Sequence, residues 1–292
     1  MSNKLPYNKT ASYNCFAVVV LASIVLQVVL SPFIASGQSD SALLWANGVY
    51  SVGLAIVALL YGKLIKADVV EVINVKKFDY KQLLFGLAFV VVLVNFMTPI
   101  NNLLCDFIEW LGLKRPSVDI VINSETLPAV IIVAVLVAGV CEEFVFRGMI
   151  GNYIAQPFSW KGIAIGGALF SIFHMNPAQT LHQFVLGCVM LIALQRGGFI
   201  TAVAMHIFNN LLAVVLSLTV ETTGFYTDYW WQILIVSGVI LAALCVVYVK
   251  VFPFKKQQQE QQVQTTQRSF PPAGFIIAVL YCIAMWVVVL FS

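Results

Sequence analysis

Apolar runs of helix-spanning length, recurring along almost the whole chain, constrain this sequence more than any other feature. A bilayer core of roughly 30 Å takes about 20 helical residues to cross. Runs of that kind lie near 15–35, 43–62, 83–104, 127–149, 161–177, 181–195, 197–218, 230–252 and 273–291. Composition agrees, with 61% of residues hydrophobic and 10% charged, where soluble domains carry about 25% charged residues. A water-soluble globule of 292 residues has too little interior for so much apolar surface, so the solvent is lipid. The expected fold is all-α: a polytopic transmembrane helical bundle of about eight core helices plus one C-terminal helix. A soluble enzyme, a nucleic-acid binder and a disulfide-stapled secreted module are excluded. The six cysteines stand singly with no C-x-x-C pair, and they read as small apolar fillers.

The fifth run ends at Pro177 and the sixth is short. The tight connection from Asn176 to Leu181 implies a helical hairpin or a broken helix buried among neighbours. No internal repeat is present, which removes the usual signature of an inverted-repeat transporter. Lys4 and Lys9 precede the first run, and Ala35-Ser36-Gly37 vaguely resembles a cleavage site. The run is longer than a signal core of about 7–15 residues, so it reads as a retained helix.

Lysine and arginine set the expected orientation. With the N-terminus in the cytoplasm, Lys4, Lys9, Lys63, Lys66, Lys76, Lys77, Lys81, Lys161, Arg196, Lys250, Lys255, Lys256 and Arg268 all fall inside. Only Lys114 and Arg115 fall outside, offset by Asp106, Glu109, Asp119 and Glu125. The expected location is an integral protein of a bacterial plasma membrane. Loop 63–81 mixes lysines with Val69, Val70, Val72, Ile73 and Val75 and reads as partly resting on the membrane surface. The glutamine-rich stretch ending in Pro271-Pro272 reads as a flexible tether. The chain then divides into an N-terminal helix pair with a basic loop (1–82), a main helical domain (83–252), a linker (253–272) and a last helix (273–292) added to an eight-helix body.

Ionisable residues inside a bilayer are costly, so each one is a candidate functional residue. Glu142, Glu143 and Arg147 lie near the end of the fourth run, His174 in the fifth and His206 in the seventh. The remaining histidine, His182, lies at the hairpin between the fifth and sixth. On an α-helix, Glu143 and Arg147 are four apart and face each other as an ion pair. Glu142 points about 100° away around the axis. The spacing therefore divides the carboxylates into one neutralised by arginine and one left for other work. An unpaired, buried carboxylate suits a general base. A purely structural reading, a buried ion pair beside a protonated glutamate, makes two adjacent glutamates an expensive way to join helices. A lone histidine such as His174 is usually a satisfied core residue. His206 and Asn210 are four apart and share a helix face, so both can donate hydrogen bonds toward a developing oxyanion.

Glu142-Glu143-x-x-x-Arg147, then Phe170-x-x-x-His174, then His206-x-x-x-Asn210 resemble, in that order, the three motifs of the CPBP family. That family takes in the type II CAAX prenyl endopeptidases and the bacterial ABI proteins, the CAAX protease and bacteriocin-processing enzymes. The resemblance covers roughly residues 85–220, and Gly187 and Gly197-Gly198 fit its style. It implies an intramembrane endopeptidase acting on a membrane-associated peptide or protein. In that reading Glu142 activates water, His174 holds it, His206 and Asn210 steady the oxyanion, and Glu143 and Arg147 brace the site. Such proteins are described both as metalloproteases and as metal-free glutamate proteases. Glu142, His174 and His206 could supply a Zn²⁺ site with an open position, but there is no H-E-x-x-H spacing. The metal-free reading is preferred because a metal held by Glu142 would leave no separate general base.

In straight, upright helices the levels of Glu142, His174 and His206 do not coincide, and tilt or a broken helix must close a gap of about 10 Å. The site is then expected in the cytoplasmic half to the middle of the bilayer, with water arriving from the cytoplasm. No buried Ser or Cys is paired with a base in the motifs, so attack without an acyl-enzyme is expected. Two other readings use the same polar cavity: a non-catalytic membrane scaffold or bacteriocin-immunity factor, and a proton-coupled carrier.

Overall fold

The computed structural model describes residues 7–35, 39–75, 77–117, 120–156, 158–219, 223–253 and 271–291. Lys4, Ser36, Gly37, Lys76, Asp119, Lys255, Lys256, Arg268 and the glutamine-rich run at 257–262 lie outside the described residues. Among the described residues there is no strand. The long helices are α1 (Lys9–Ala35), α2 (Asp40–Leu64), α3 (Tyr80–Trp110), α4 (Leu127–Ile154), α5 (Trp160–Phe173), α6 (Thr180–Gly197), α7 (Phe199–Thr219), α8 (Trp230–Val251) and α9 (Ala273–Val289). Seven of them have the length and apolar character to cross a bilayer, while α5 and α9 are shorter. The chain is an integral membrane protein.

Local chemistry sets the helix starts. Ser39 accepts from the Ala42 N–H ahead of α2, Asp79 from Lys81 and Gln82 ahead of α3, and Ser159 from Gly162 ahead of α5. Each satisfies donors that the first turn leaves unpaired. The fifth and sixth helices differ from expectation. α5 has 14 residues, about 21 Å at 1.5 Å per residue, so it stops short of a full crossing. Asn176 caps the turn Pro177–Gln179 that follows it, and α6 runs for 18 residues, longer than its apolar run suggested. The sequence showed where apolar composition dips, not where the cap sits.

Two large packed clusters, among four in the described residues, hold most of the bundle. One joins α1, α2, α4, α5 and α9 through Phe16, Leu54, Phe146, Met149, Phe170 and Cys282. The other joins α3, α6 and α7 through Leu93, Met190, Leu194 and Met205. α4 bridges them, touching α1, α2, α5, α6 and α7. The last helix is not an appendage: α9 packs on α1 and α5, and Trp286 Nε1 donates to Thr180 Oγ1 at 2.7 Å. α8 is the peripheral one, resting mainly on α3.

Glycines set the closest approaches. A Cβ on Gly187 would meet the Gly167 Cα at 2.9 Å, so α5 and α6 touch backbone to backbone. Small residues serve this purpose in membranes, where hydrophobicity alone does not draw helices together. Gly198, between α6 and α7, has φ +89 and lies against the Lys77 carbonyl. Lys77 Nζ donates to the Gln195 carbonyl at 2.7 Å beside it, and the Asp79 N–H to Gly197 at 3.2 Å. Gly198→Ala must strain φ and displace the Lys77 backbone at once. A loss of about 2 kcal/mol or more is expected, read as a lower thermal midpoint in detergent.

Candidate active site

The two glutamates sit at a change of helix type. Residues 138–142 of α4 are α-helical, whereas 130–137 and 143–151 are π-helical. The Asn152 N–H bonds to the Arg147 carbonyl, an i→i+5 link. Such wide turns concentrate at functional sites. A constant 100° per residue therefore does not describe this helix, although the division of the carboxylates appears all the same. Glu143 is 0% exposed, with Oε1 3.1 Å from the Arg147 guanidinium. Glu142 keeps 27% of its side-chain surface exposed.

Glu143 has a second partner that spacing did not indicate. His206 Nδ1 lies 2.6 Å from Glu143 Oε1, and its Nε2 lies 3.8 Å from Glu142 Oε2. The imidazole thus stands between the two carboxylates, its inner nitrogen fixed and its outer one turned toward Glu142. A carboxylate at Nδ1 is the usual means of orienting a working histidine. α7 reaches this position through Gly139 of α4, where a Cβ would meet Ile207 Cγ1 at 2.7 Å.

His174 ends α5, and its Nδ1 donates to the Phe170 carbonyl at 2.8 Å. A carbonyl can only accept, so in the neutral ring Nε2 is left as the acceptor. Phe170 organises the surroundings. The Arg147 guanidinium lies 3.6 Å above its ring, and His174 and His206 stand edge-on at 4.6 and 6.2 Å. A cation over a buried aromatic face replaces part of its lost hydration. Phe170 is therefore the aromatic support of the charged group.

Asn210 shares the face of His206, as its spacing indicated, but one amide hydrogen goes to the Ala134 carbonyl at 2.8 Å, tying α7 to α4. Its Oδ1 accepts from Asn209 at 3.1 Å. Asn209 and His182 were missed as site residues. His182 lies in the first turn of α6, which packs on both α5 and α7, the helices that carry the other two histidines. The available signal was their scarcity, three in the whole chain.

Glu142 and His174 line one cavity of about 320 Å³ together with Cys141, Val145, Phe146, Phe173 and Met175. Its other side is built by Gln27 and Leu30 of α1 and by Ala46, Asn47, Tyr50, Ser51 and Leu54 of α2. The first two helices, set apart from the main domain on sequence grounds, thus complete the cavity. Met175 has φ +50, a left-handed value uncommon outside glycine, and it turns the chain away as α5 ends. That early end and the π-helical α4 are the broken geometry that brings the three levels together. Leu30, Ala46, Asn47 and Met175 lie toward the end with the α1–α2 connection, while Tyr7, Phe16, Val72, Ile73 and Met149 fill the lysine-rich end.

Among the described residues no three His, Cys, Asp or Glu side chains gather as metal ligands. The chemistry open to this arrangement is that of a partly exposed carboxylate beside two oriented imidazoles.

Comparison with known proteins bears on this segment of the chain. Residues 124–212 match the family described as Rce1-like, type II CAAX prenyl endopeptidase Rce1-like. The matched stretch takes in all three motifs, in agreement with the resemblance they carry, and leaves out α1 to α3, α8 and α9. No curated protein and no solved structure matches the chain.

Proposed function

We propose that this chain, whose residues 124–212 match the type II CAAX endopeptidases, is an intramembrane endopeptidase that cleaves a membrane-associated peptide or protein with Glu142-activated water. The observation that carries the reading is the unequal setting of the two glutamates: Glu143 is locked between Arg147 and His206, while Glu142 faces the cavity 3.8 Å from His206 Nε2. A water there is held by Glu142 and by the lone pair of His174 Nε2. Glu142 takes its proton, and the hydroxide oxygen bonds to the scissile carbonyl carbon. The carbonyl π pair moves onto oxygen, and His206 in its doubly protonated form, with Nδ1–H held by Glu143, donates from Nε2 to steady it. When the intermediate collapses, the C–N bond breaks and Glu142 passes its proton to the leaving amine. The products are one carboxyl and one amino terminus. Asn210 and Asn209 position α7 and contribute amide dipoles.

The test is cleavage of a quenched-fluorescent peptide pool by protein reconstituted in proteoliposomes. In oxygen-18 water each new carboxyl terminus should gain one heavy oxygen, and hydroxylamine should trap no acyl-enzyme. Cleavage is expected to survive chelators. His174→Ala and His206→Ala should each lower kcat/KM by about 100-fold or more. An intact peptide pool, or variants as active as the parent, would overturn the reading.

A further inference from the structure

Polar side chains on α1 and α2 call for an explanation that the three motifs do not supply. Gln27 and Asn47 lie within apolar spans, and both are exposed. Asn47, Tyr50, Ser51 and Leu54 fall at helical spacings that put them on one face, and that face lines the cavity opposite Glu142. The Tyr50 hydroxyl is within reach of the Ser23 and Gln27 side chains, which joins the two helices into one polar strip. Such groups are costly against lipid and are retained where they meet water, protein or a ligand.

Carboxamides carry both a donor and an acceptor, as a peptide unit does. A helical substrate has those backbone groups already bonded. Its scissile carbonyl would also be shielded from Glu142. An extended segment has them open, and a strip of amide and hydroxyl groups complements it. The cavity also has a direction. Its lysine-rich end is filled by the buried residues Phe16, Val72 and Met149, while Leu30, Ala46 and Met175 lie toward the other end. That other end carries Asp40, Asp106, Glu109, Glu125 and Asp228 against Lys114 and Arg115 among the described residues. The distribution of positive charge puts it outside the cytoplasm.

We infer that Gln27, Asn47, Tyr50 and Ser51 form the substrate-binding wall, holding an extended polypeptide segment admitted from the lysine-poor, non-cytoplasmic face. This rests on the endopeptidase reading and adds to it a substrate form and a side of access.

Two measurements test it separately from that reading. The first needs no activity. In a chain with its six native cysteines replaced by alanine, Gln27→Cys and Asn47→Cys are exposed to a membrane-impermeant maleimide. Leu111→Cys marks the lysine-poor face and Lys66→Cys the opposite one. Both cavity thiols should label with Leu111→Cys, and the unlabelled peptide pool should slow the reaction. Labelling with Lys66→Cys, or only by a lipid-permeant maleimide, would overturn the inference. The second keeps the native cysteines. Gln27→Leu and Asn47→Leu should each raise KM about fivefold, the size of one net hydrogen bond, with kcat unchanged. An unaltered KM, where Glu142→Gln is inactive, would sink the binding wall and leave the hydrolase standing. A native chain that cleaves nothing while both thiols label as expected would sink the hydrolase, and the substrate assignment with it.

Discussion

Replacement of Glu142 by glutamine is expected to lower peptide cleavage by about 10³-fold, within the range of about 10²–10⁴ that a positioned general base contributes. The substitution preserves shape and volume but removes the proton acceptor. Glu142 approaches His206 Nε2 at 3.8 Å, and part of its side chain is exposed. The fold should therefore survive, with a thermal midpoint in detergent close to that of the native chain. Loss of cleavage without loss of stability is the informative pairing. A Glu142→Gln protein that still cleaves would remove the carboxylate from the chemistry. An inactive but destabilised one would place it in the packing instead.

Glu143 should behave in the opposite way. Its side chain is fully buried, 3.1 Å from Arg147 and 2.6 Å from His206, and the Arg147 side chain is 2% exposed. Glu143→Ala strands a guanidinium in the interior with only the Phe170 face beneath it. Breaking a buried pair from one side costs about 3–5 kcal/mol, because the remaining charge loses its compensation. Arg147→Ala should cost a similar amount for the same reason. Removing both charges, in Glu143→Ala with Arg147→Ala, should cost less than the two single losses combined. A coupling of about 1–3 kcal/mol is expected, measured by a double-mutant cycle on unfolding. Additive losses would show that the ion pair is incidental. The double variant should still lose activity, since His206 would no longer be oriented by a carboxylate.

The contrast between the adjacent glutamates was legible in the sequence, because an i, i+4 pairing survives a local change from α to π geometry. Glu143 and Arg147 met as expected. His206 as a partner of Glu143 was not legible, since nothing in local spacing says which face of α7 meets α4. Apolar composition is equally blind to partners. In lipid both the outward and the core-facing sides of a helix are greasy, so Leu21 and Val25, exposed on α1, look like Phe16 and Val19, buried on it. For that reason α9 appeared to be an addition, and α1 and α2 appeared to stand apart from the site. The length of α5 was hidden too, because a helix stopped by a capped turn inside the bundle leaves hydropathy nearly unchanged. Hydropathy was blind as well to how the lysine-rich end is packed, where Tyr7 and Met149 close the core through a 2.7 Å hydrogen bond.

α1 and α2 lie outside the matched segment yet make one side of the cavity. On the proposed function, a chimera that carried a different helix pair before the same residues 124–212 would keep the three motifs and change the wall that faces them. Tyr7, Phe16, Leu54 and Ala58 are the seams at which such a graft must fit, because they interlock with α4. Polypeptide preference and bond-breaking power would then be separately evolvable parts of a single molecule.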